Sequence, residues 1–183
     1  MASDRVFIDP LLIKETDCPI IVFAIDLRPK LFSWGIKLKT RDSANHVMGM
    51  TKPLFLESQG LVQFGRIPIE SYLKSDIILE FWRIRNLTTE EKNRINDSIS
   101  NRLNLNFLER GYDALGIFGQ MTGLKFIQNP KQFFCSEQIR QDHIKPILRA
   151  DRIIDKYPSP GDMRRKFIAN QEVFERLGYF LKD

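Results

Sequence analysis

Short apolar stretches, each bounded by Asp, Ser, Gly or Pro, fill the first half of the chain. Stretches of this kind, rich in β-branched and aromatic residues, predict strands. We predict strands at 19–26, 31–39, 45–50, 53–57, 61–67 and 76–84. Because the linkers between them are too short for helical crossovers, we expect an antiparallel meander.

The second half of the chain is predicted to be helical. Thr88 and Glu91 have the spacing of a capping box, so a helix is expected from there towards Leu103. An amphipathic helix is predicted to begin in QFFCSEQIRQ (132–141) and to carry Ile139, Ile144 and Leu148. The turn residues YPSPGD (157–162) are expected to end the core, and a short helix is predicted around 170–177. Strands followed by helices indicate an α+β fold.

Length and composition favour one globular domain over 1–183, with 43% hydrophobic and 28% charged residues. The net charge of +5 is spread along the chain, apart from the basic cluster 164–166. No nucleic-acid motif accompanies this charge, so we expect no nucleic-acid partner, while contact with an anionic surface stays open. No apolar window is long enough to span a membrane, and the N-terminal residues do not form a signal peptide. We therefore expect synthesis in the cytoplasm, and oligomeric state is left open.

The two cysteines, Cys18 and Cys135, have no CxxC spacing, and the chain has two histidines. This count argues against a zinc site and a disulfide framework, and we expect no metal or cofactor. Cys135 lies at a predicted helix start, where free N–H groups and the helix dipole would lower the pKa of the thiol, although Glu137 acts against this. Cys135 is thus either a nucleophile or a small buried hydrophobic residue.

A catalytic thiol needs a base, and His46 is the better placed of the two histidines. His143 lies eight residues beyond Cys135, about 12 Å along the same helix, and is expected to be a surface or packing residue. If the strands around Thr51 and Lys52 form a symmetric hairpin, His46 pairs with Glu57, with Cβ atoms about 5 Å apart. Glu57 could then orient the imidazole, or the two side chains could simply satisfy each other in the sheet. We expect His46 on a strand beside the helix start, with a ring nitrogen within about 4 Å of the sulfur.

Five motifs occur in a recognisable order: SANHVMGM, LFLESQGLVQFGRIPIESYL, GYD, FFCSEQI and YPSPGDM. In this order they resemble YiiX-like proteins of the circularly permuted, NlpC-type branch of papain-like cysteine hydrolases. The resemblance covers residues 28–165, so 1–27 and 167–183 are family-atypical extensions, and the arginine after CSEQI also departs from the pattern.

The resemblance implies a permuted papain-like fold, with an antiparallel sheet packed against helices. It also implies Cys135 as the nucleophile, His46 as the general base and Glu57 as the orienting residue. Tyr112 and Ser136 are expected in the vicinity of the substrate and the oxyanion.

The expected activity is therefore that of a cysteine hydrolase that passes through an acyl-enzyme intermediate. The first expected substrate is an amide in a cell-wall-type peptide, by analogy with NlpC-type relatives. Hydrolysis or transfer of a lipid or thioester acyl group is the alternative. The second alternative is a non-catalytic binding module with the same fold.

Overall fold

The computed structural model describes residues 6–27, 43–44, 46–59, 64–105 and 135–182. Over these ranges the chain has an α+β fold built on a six-stranded antiparallel sheet with the order β4-β3-β2-β1-β5-β6. The strands are β1 (Ile20–Asp26), β2 (His46–Lys52), β3 (Phe55–Gln59), β4 (Phe64–Pro68), β5 (Ile77–Ile84) and β6 (Phe174–Leu181). The continuous apolar run 19–26 forms β1, which lies in the interior of the sheet between β2 and β5.

The predicted meander is confirmed from β2 to β4, because β2 pairs with β3 and β3 with β4. It is wrong at β1, whose two neighbours in the sheet are β2 and β5 rather than a strand at 31–39. The chain then passes back across the sheet, because β5 pairs with β1 rather than with β4. The strand predicted at 31–39 lies outside the described residues. The helix predicted around 170–177 is wrong, since this region enters β6 and pairs with β5 from Ile84↔Phe174 to Ile78↔Leu181. Pairing with β5 outweighs the local helix preference of this short polar stretch.

The helices are α1 (Thr89–Leu103), α2 (Cys135–Ile139), α3 (Leu148–Asp151) and α4 (Pro160–Ala169). The predicted capping box of α1 is confirmed, because Thr88 and Glu91 exchange their hydrogen bonds. The helix that begins at Cys135 widens into a π turn, Arg140–Ile144, and stops before Leu148, which is exposed. The segment YPSPGD also begins a helix, because Ser159 caps α4 and Pro160 is the first residue of that helix.

The two faces of the sheet are covered differently. On one face, called here the helix face, the helices pack on an apolar cluster that includes Phe23, Val47, Trp82, Ile139 and Phe167. The opposite face packs on a second cluster, formed by Val22, Met48, Met50 and Phe81 with side chains from residues 8–18 and 69–73. Among the described residues, no helix is both long and apolar enough to cross a membrane.

The two segments that fall outside the family resemblance both contribute strands to this sheet. Residues 1–27 contain β1, and residues 167–183 contain β6. The chain around Phe7 also forms a parallel bridge with Tyr179, in which Ile8 N–H donates to Tyr179 C=O at 2.9 Å and Tyr179 N–H donates to Val6 C=O at 2.9 Å.

Candidate functional site

Cys135 lies at the start of α2 with its sulfur facing backbone N–H groups. The residue is only 6% exposed and belongs to the same apolar cluster as Val47 of β2. The N–H groups of Val47, Ser136 and Cys135 itself act on the sulfur and favour the thiolate. Cys135 thus packs in the same cluster as Val47, the residue that follows His46 in β2.

The thiol of Cys135 is protonated at neutral pH. Burial raises its pKa to about 11 despite the three N–H groups, and Glu137 raises it further. The predicted lowering of this pKa is therefore wrong in its net direction. The helix-start effect is present, but the loss of hydration outweighs it. Attack by this sulfur on a carbonyl carbon would need a base to accept its proton.

His46 is the first residue of β2 and is held by a serine hydroxyl. Its Nε2 lies 2.7 Å from Oγ of Ser58, on the neighbouring strand β3. The ring of Tyr72 is nearly parallel to the imidazole, with an interplanar angle of 13° and ring centroids 6.3 Å apart. Burial lowers the pKa of His46 to about 4, so the imidazole is neutral at pH 7. When Nε2–H donates to Ser58 Oγ, Nδ1 is the nitrogen left to accept a proton.

The imidazole and the Cys135 helix belong to opposite faces of the sheet. Side chains alternate along a strand, so His46 shares the face of Met48, whereas Val47 packs with Cys135 on the helix face. A charge on this sulfur also raises the pKa of Tyr72, the residue that flanks His46. Cys135 therefore packs on the helix face of β2 while the imidazole lies on the other face, and the predicted approach of a ring nitrogen to within about 4 Å of the sulfur stays a prediction.

Glu57 is paired differently from the prediction. It lies opposite Gly49 of β2, so the predicted pairing with His46 is wrong. The carboxylate is fully buried and accepts hydrogen bonds from Thr51 N–H at 2.8 Å, from Thr51 Oγ1 at 2.5 Å and from Arg66 Nε at 3.1 Å. Glu57 thus stabilises the β2–β3–β4 region from the helix face.

The position of the hairpin turn explains this difference. The turn falls at Pro53 and Leu54 rather than at Thr51 and Lys52, and the register is irregular between Gly49 and Lys52. Leu54 has a positive φ of 67° after a proline, as in a type II turn. The shifted turn moves Glu57 away from His46, and the irregular register turns Ser58 to the face of the imidazole, where it takes the contact instead.

Ser136 contributes to the site through its backbone. Its hydroxyl is fully buried and donates to the carbonyl of Pro158 at 2.5 Å, which ties the start of α2 to the turn before α4. Its N–H is one of the three that act on the Cys135 sulfur. Tyr112, predicted near the substrate, lies outside the described residues.

His143 is a packing residue, and the surface alternative is wrong because it is only 1% exposed. Its ring lies against Gly49: a Cβ on that glycine would be 2.1 Å from His143 Nε2. Neither ring nitrogen has a hydrogen-bond partner within the part of the chain that the structure describes. Burial lowers the pKa of His143, while Glu57 and Asp142 act in the opposite direction. His143 is therefore a neutral side chain in the interface between α2 and the sheet.

Sequence reasoning missed two residues of this site, Ser58 and Tyr72. Ser58 could be found by alternation along β3 only from the irregular register between Gly49 and Lys52, because a regular hairpin turning at Pro53 and Leu54 would point Ser58 to the face opposite His46. No signal in the sequence pointed to Tyr72, because its 3-10 turn, Ile69–Tyr72, is brought beneath the sheet only by the tertiary fold.

In the described ranges no group of three or more His, Cys, Asp or Glu side chains is placed to hold a metal ion. The sequence matches no protein-family model, and a comparison with curated proteins finds no significant match either.

Proposed function

We propose that this chain is a cysteine hydrolase in which Cys135 attacks a carbonyl carbon and His46 acts as general base. One observation carries the proposal. Cys135, at the start of α2, packs with Val47, the residue after His46, and backbone N–H groups act on its sulfur, while Ser58 holds Nε2 of the same histidine. A thiol, an imidazole with one nitrogen held in place and a set of N–H donors are the parts that acyl transfer needs.

The reaction begins from a neutral thiol and a neutral imidazole. Nδ1 of His46 accepts the thiol proton as the sulfur bonds to the carbonyl carbon, so no preformed ion pair is required. Backbone N–H groups at the start of α2 stabilise the oxyanion that develops. The imidazolium then donates its proton to the leaving group, and water hydrolyses the resulting acyl-enzyme. Ser58 orients the ring throughout but supplies no negative charge.

The coarse architecture is compatible with a permuted papain-like hydrolase. A histidine strand precedes the cysteine helix in the chain, and that helix packs against β2 and β3 of an antiparallel sheet. The proposal departs from the family expectation at one residue, because Ser58 replaces Glu57 as the orienting group. A peptide amide remains the first substrate class, and an acyl ester or thioester is the second.

Electrophilic probes with a peptide or an acyl recognition group test the proposal. The wild-type protein should be labelled covalently, and Cys135→Ala and His46→Ala should abolish or strongly slow labelling. Cys18→Ala is the matched control and should label like the wild type, because Cys18 lies in the cluster on the opposite face. Which of the two probes reacts faster identifies the substrate class.

Two outcomes would refute the hydrolase. Labelling that persists in Cys135→Ala would show that another group reacts. Failure of every probe to label a folded wild-type protein would instead favour a binding module. The iodoacetamide rate should also rise steadily from pH 7 to pH 10, since burial raises the pKa of Cys135 to about 11. A high plateau at pH 5–6 would show a preformed thiolate–imidazolium pair and contradict the proposed neutral start.

A further inference from the structure

A polar cleft of about 300 Å³ opens at the end of the sheet where β1 begins and β5 ends. Its volume is at the lower end of the range for ligand pockets, about 300–1,000 Å³. Four parts of the chain line it: residues 16–19, residues 83–87, Lys92 of α1 and Glu175 of β6. The cleft is separate from the candidate site, because Cys135 packs with Val47, whose partner in β1 lies about 13 Å along the strand from Pro19.

Three cationic side chains line this cleft, those of Arg83, Arg85 and Lys92, against two carboxylates, so the lining has a net positive charge. Glu175 joins the two arginines, since it accepts from Arg83 Nε at 2.5 Å and lies 3.5 Å from Arg85 Nη1. Arg85 Nε also donates to the C=O of Gln171 at 2.8 Å. The two guanidinium groups are therefore held side by side before a ligand arrives, which reduces the entropy that binding would cost.

The three cations retain hydrogen-bond donors for a ligand. In the part of the chain that the structure describes, Nη1 and Nη2 of Arg83 and Nη2 of Arg85 have no protein acceptor. Both arginine side chains are accessible to a ligand, with exposed fractions of 43% and 41%. Lys92 Nζ donates to the C=O of Thr16 at 3.1 Å, which holds the ammonium group at the cleft. An ammonium has three N–H groups, so it can bind an anion at the same time.

The rest of the lining also suits an anion. Its buried apolar part is formed by Cys18, Pro19 and Ile84. Charges attract more strongly beside buried apolar groups than in open water. The carbonyl oxygens of Arg85 and Asn86 accept from Arg149 Nη2 at 2.9 and 3.2 Å, and Arg149 lies outside the lining. Because a cation outside the cleft binds these two oxygens, they repel an anion in the cleft less.

We propose that this cleft binds the phosphate group of a small molecule. A phosphate monoester carries about −1.5 to −2 charges at pH 7 and has three strong acceptor oxygens, which match three cationic groups. A carboxylate has two oxygens and one charge and matches them less well. Glu175 keeps its bonds to the two arginines, and the phosphate takes the donors that remain. The recognised chemistry is the phosphate itself, free or esterified, and the inference is independent of the hydrolase.

Isothermal titration calorimetry of the full chain at constant ionic strength tests the inference. Inorganic phosphate and phenyl phosphate should both bind, and succinate, a dianion without phosphate geometry, should bind more weakly. Equal affinities of the two phosphates would show that free phosphate is sufficient. Tighter binding of phenyl phosphate would show that the ligand is an ester whose organic group contacts the apolar part of the lining.

Substitutions locate the binding. Arg83→Gln, Arg85→Gln and Lys92→Gln should each weaken phosphate binding by about tenfold or more, since each removes a charged hydrogen-bond donor. Arg94→Gln is the matched control. It removes the same charge from α1, but Arg94 is exposed, pairs with Glu90 and lies outside the lining. This variant should bind phosphate like the wild type.

Three results would overturn the inference: no saturable binding of either phosphate to the wild type, equal weakening of binding in Arg94→Gln, or tighter binding of succinate than of phosphate. The first and third measurements use the wild type alone, so they decide even if a variant does not fold. Circular dichroism of each variant verifies its fold before titration.

Discussion

The contact between Gly49 and His143 predicts that Gly49→Ala will disturb the packing of the Cys135 helix against β2. An added Cβ would be 2.1 Å from His143 Nε2, whereas ordinary contact begins at 3.4 Å, so the ring must retreat by about 1.3 Å. His143 has little freedom to do so. It is 1% exposed, and the neighbouring Asp142 is held by Ser98, Arg102 and Gln138.

Overpacking a close-packed interior typically lowers the free energy of unfolding by about 1–3 kcal/mol, and we expect a loss of this size for Gly49→Ala. For a chain of this size that corresponds to a melting temperature lower by roughly 2–12 °C. Gly65→Ala is the matched control, because a Cβ there meets nothing within 4 Å. A glycine replaced in a strand should otherwise gain about 0.5–1 kcal/mol, so Gly65→Ala should be neutral or slightly stabilising.

Thermal unfolding followed by circular dichroism, together with the alkylation rate of Cys135, provides the assay. Gly49→Ala should unfold earlier and change the thiol rate, since His143 and Cys135 lie on the same helical segment. In a His143→Ala background the cost of Gly49→Ala should largely disappear. If Gly49→Ala is as stable as Gly65→Ala, or if the two changes are additive, the steric reasoning is refuted.

Two further predictions concern the buried ionisable groups. Glu57→Gln should lower the free energy of unfolding by about 1–3 kcal/mol, because a buried acceptor loses the charge that Arg66 pairs with. The labelling rate of Cys135 should not change. Slower labelling in a stable variant would show that Glu57 does act on the candidate site. Stability towards urea should fall as pH decreases from 6.5 towards 4, since the unfolded chain binds protons there that His46 and His143 in the folded chain do not. For His46 this amounts to at most about 3 kcal/mol, and to less because the residue is only partly buried by its accessible surface. The dependence should weaken in His46→Gln, and a flat profile in the wild type would contradict the neutral histidines.

Local patterns in the sequence predicted those elements whose stability is local. The apolar run of β1 and the capping box of α1 were identified correctly, because burial and a side-chain cap act over a few residues. The hairpin of β2 and β3 was recognised, but its register was wrong because Pro53 and Leu54 form the turn. The displaced turn changes every cross-strand partner, and the one-residue irregularity between Gly49 and Lys52 exchanges the two faces of β3, so that Ser58 rather than Glu57 meets His46.

Long-range contacts account for the rest. β6 forms because β5 offers it a partner, and nothing within 170–177 reveals that partner. The direction of the Cys135 pKa likewise depends on how deeply the whole fold buries the sulfur, which local charge and helix position do not determine. The roles of Cys135 and His46 remain predictions that the probe experiment tests.

The bridge between residues 6–8 and Tyr179 also protects one edge of the sheet against pairing with strands of other molecules. The outer N–H and C=O groups of an edge strand are a template on which a strand from another molecule can add. Val6 and Ile8 form hydrogen bonds with the backbone N–H and C=O of Tyr179, within β6. At the far edge, β4 is short and ends at Pro68, which has no N–H to offer. A chain without residues 6–8 would present a longer open ladder along β6 and would be more prone to intermolecular β-pairing and fibrillar aggregation.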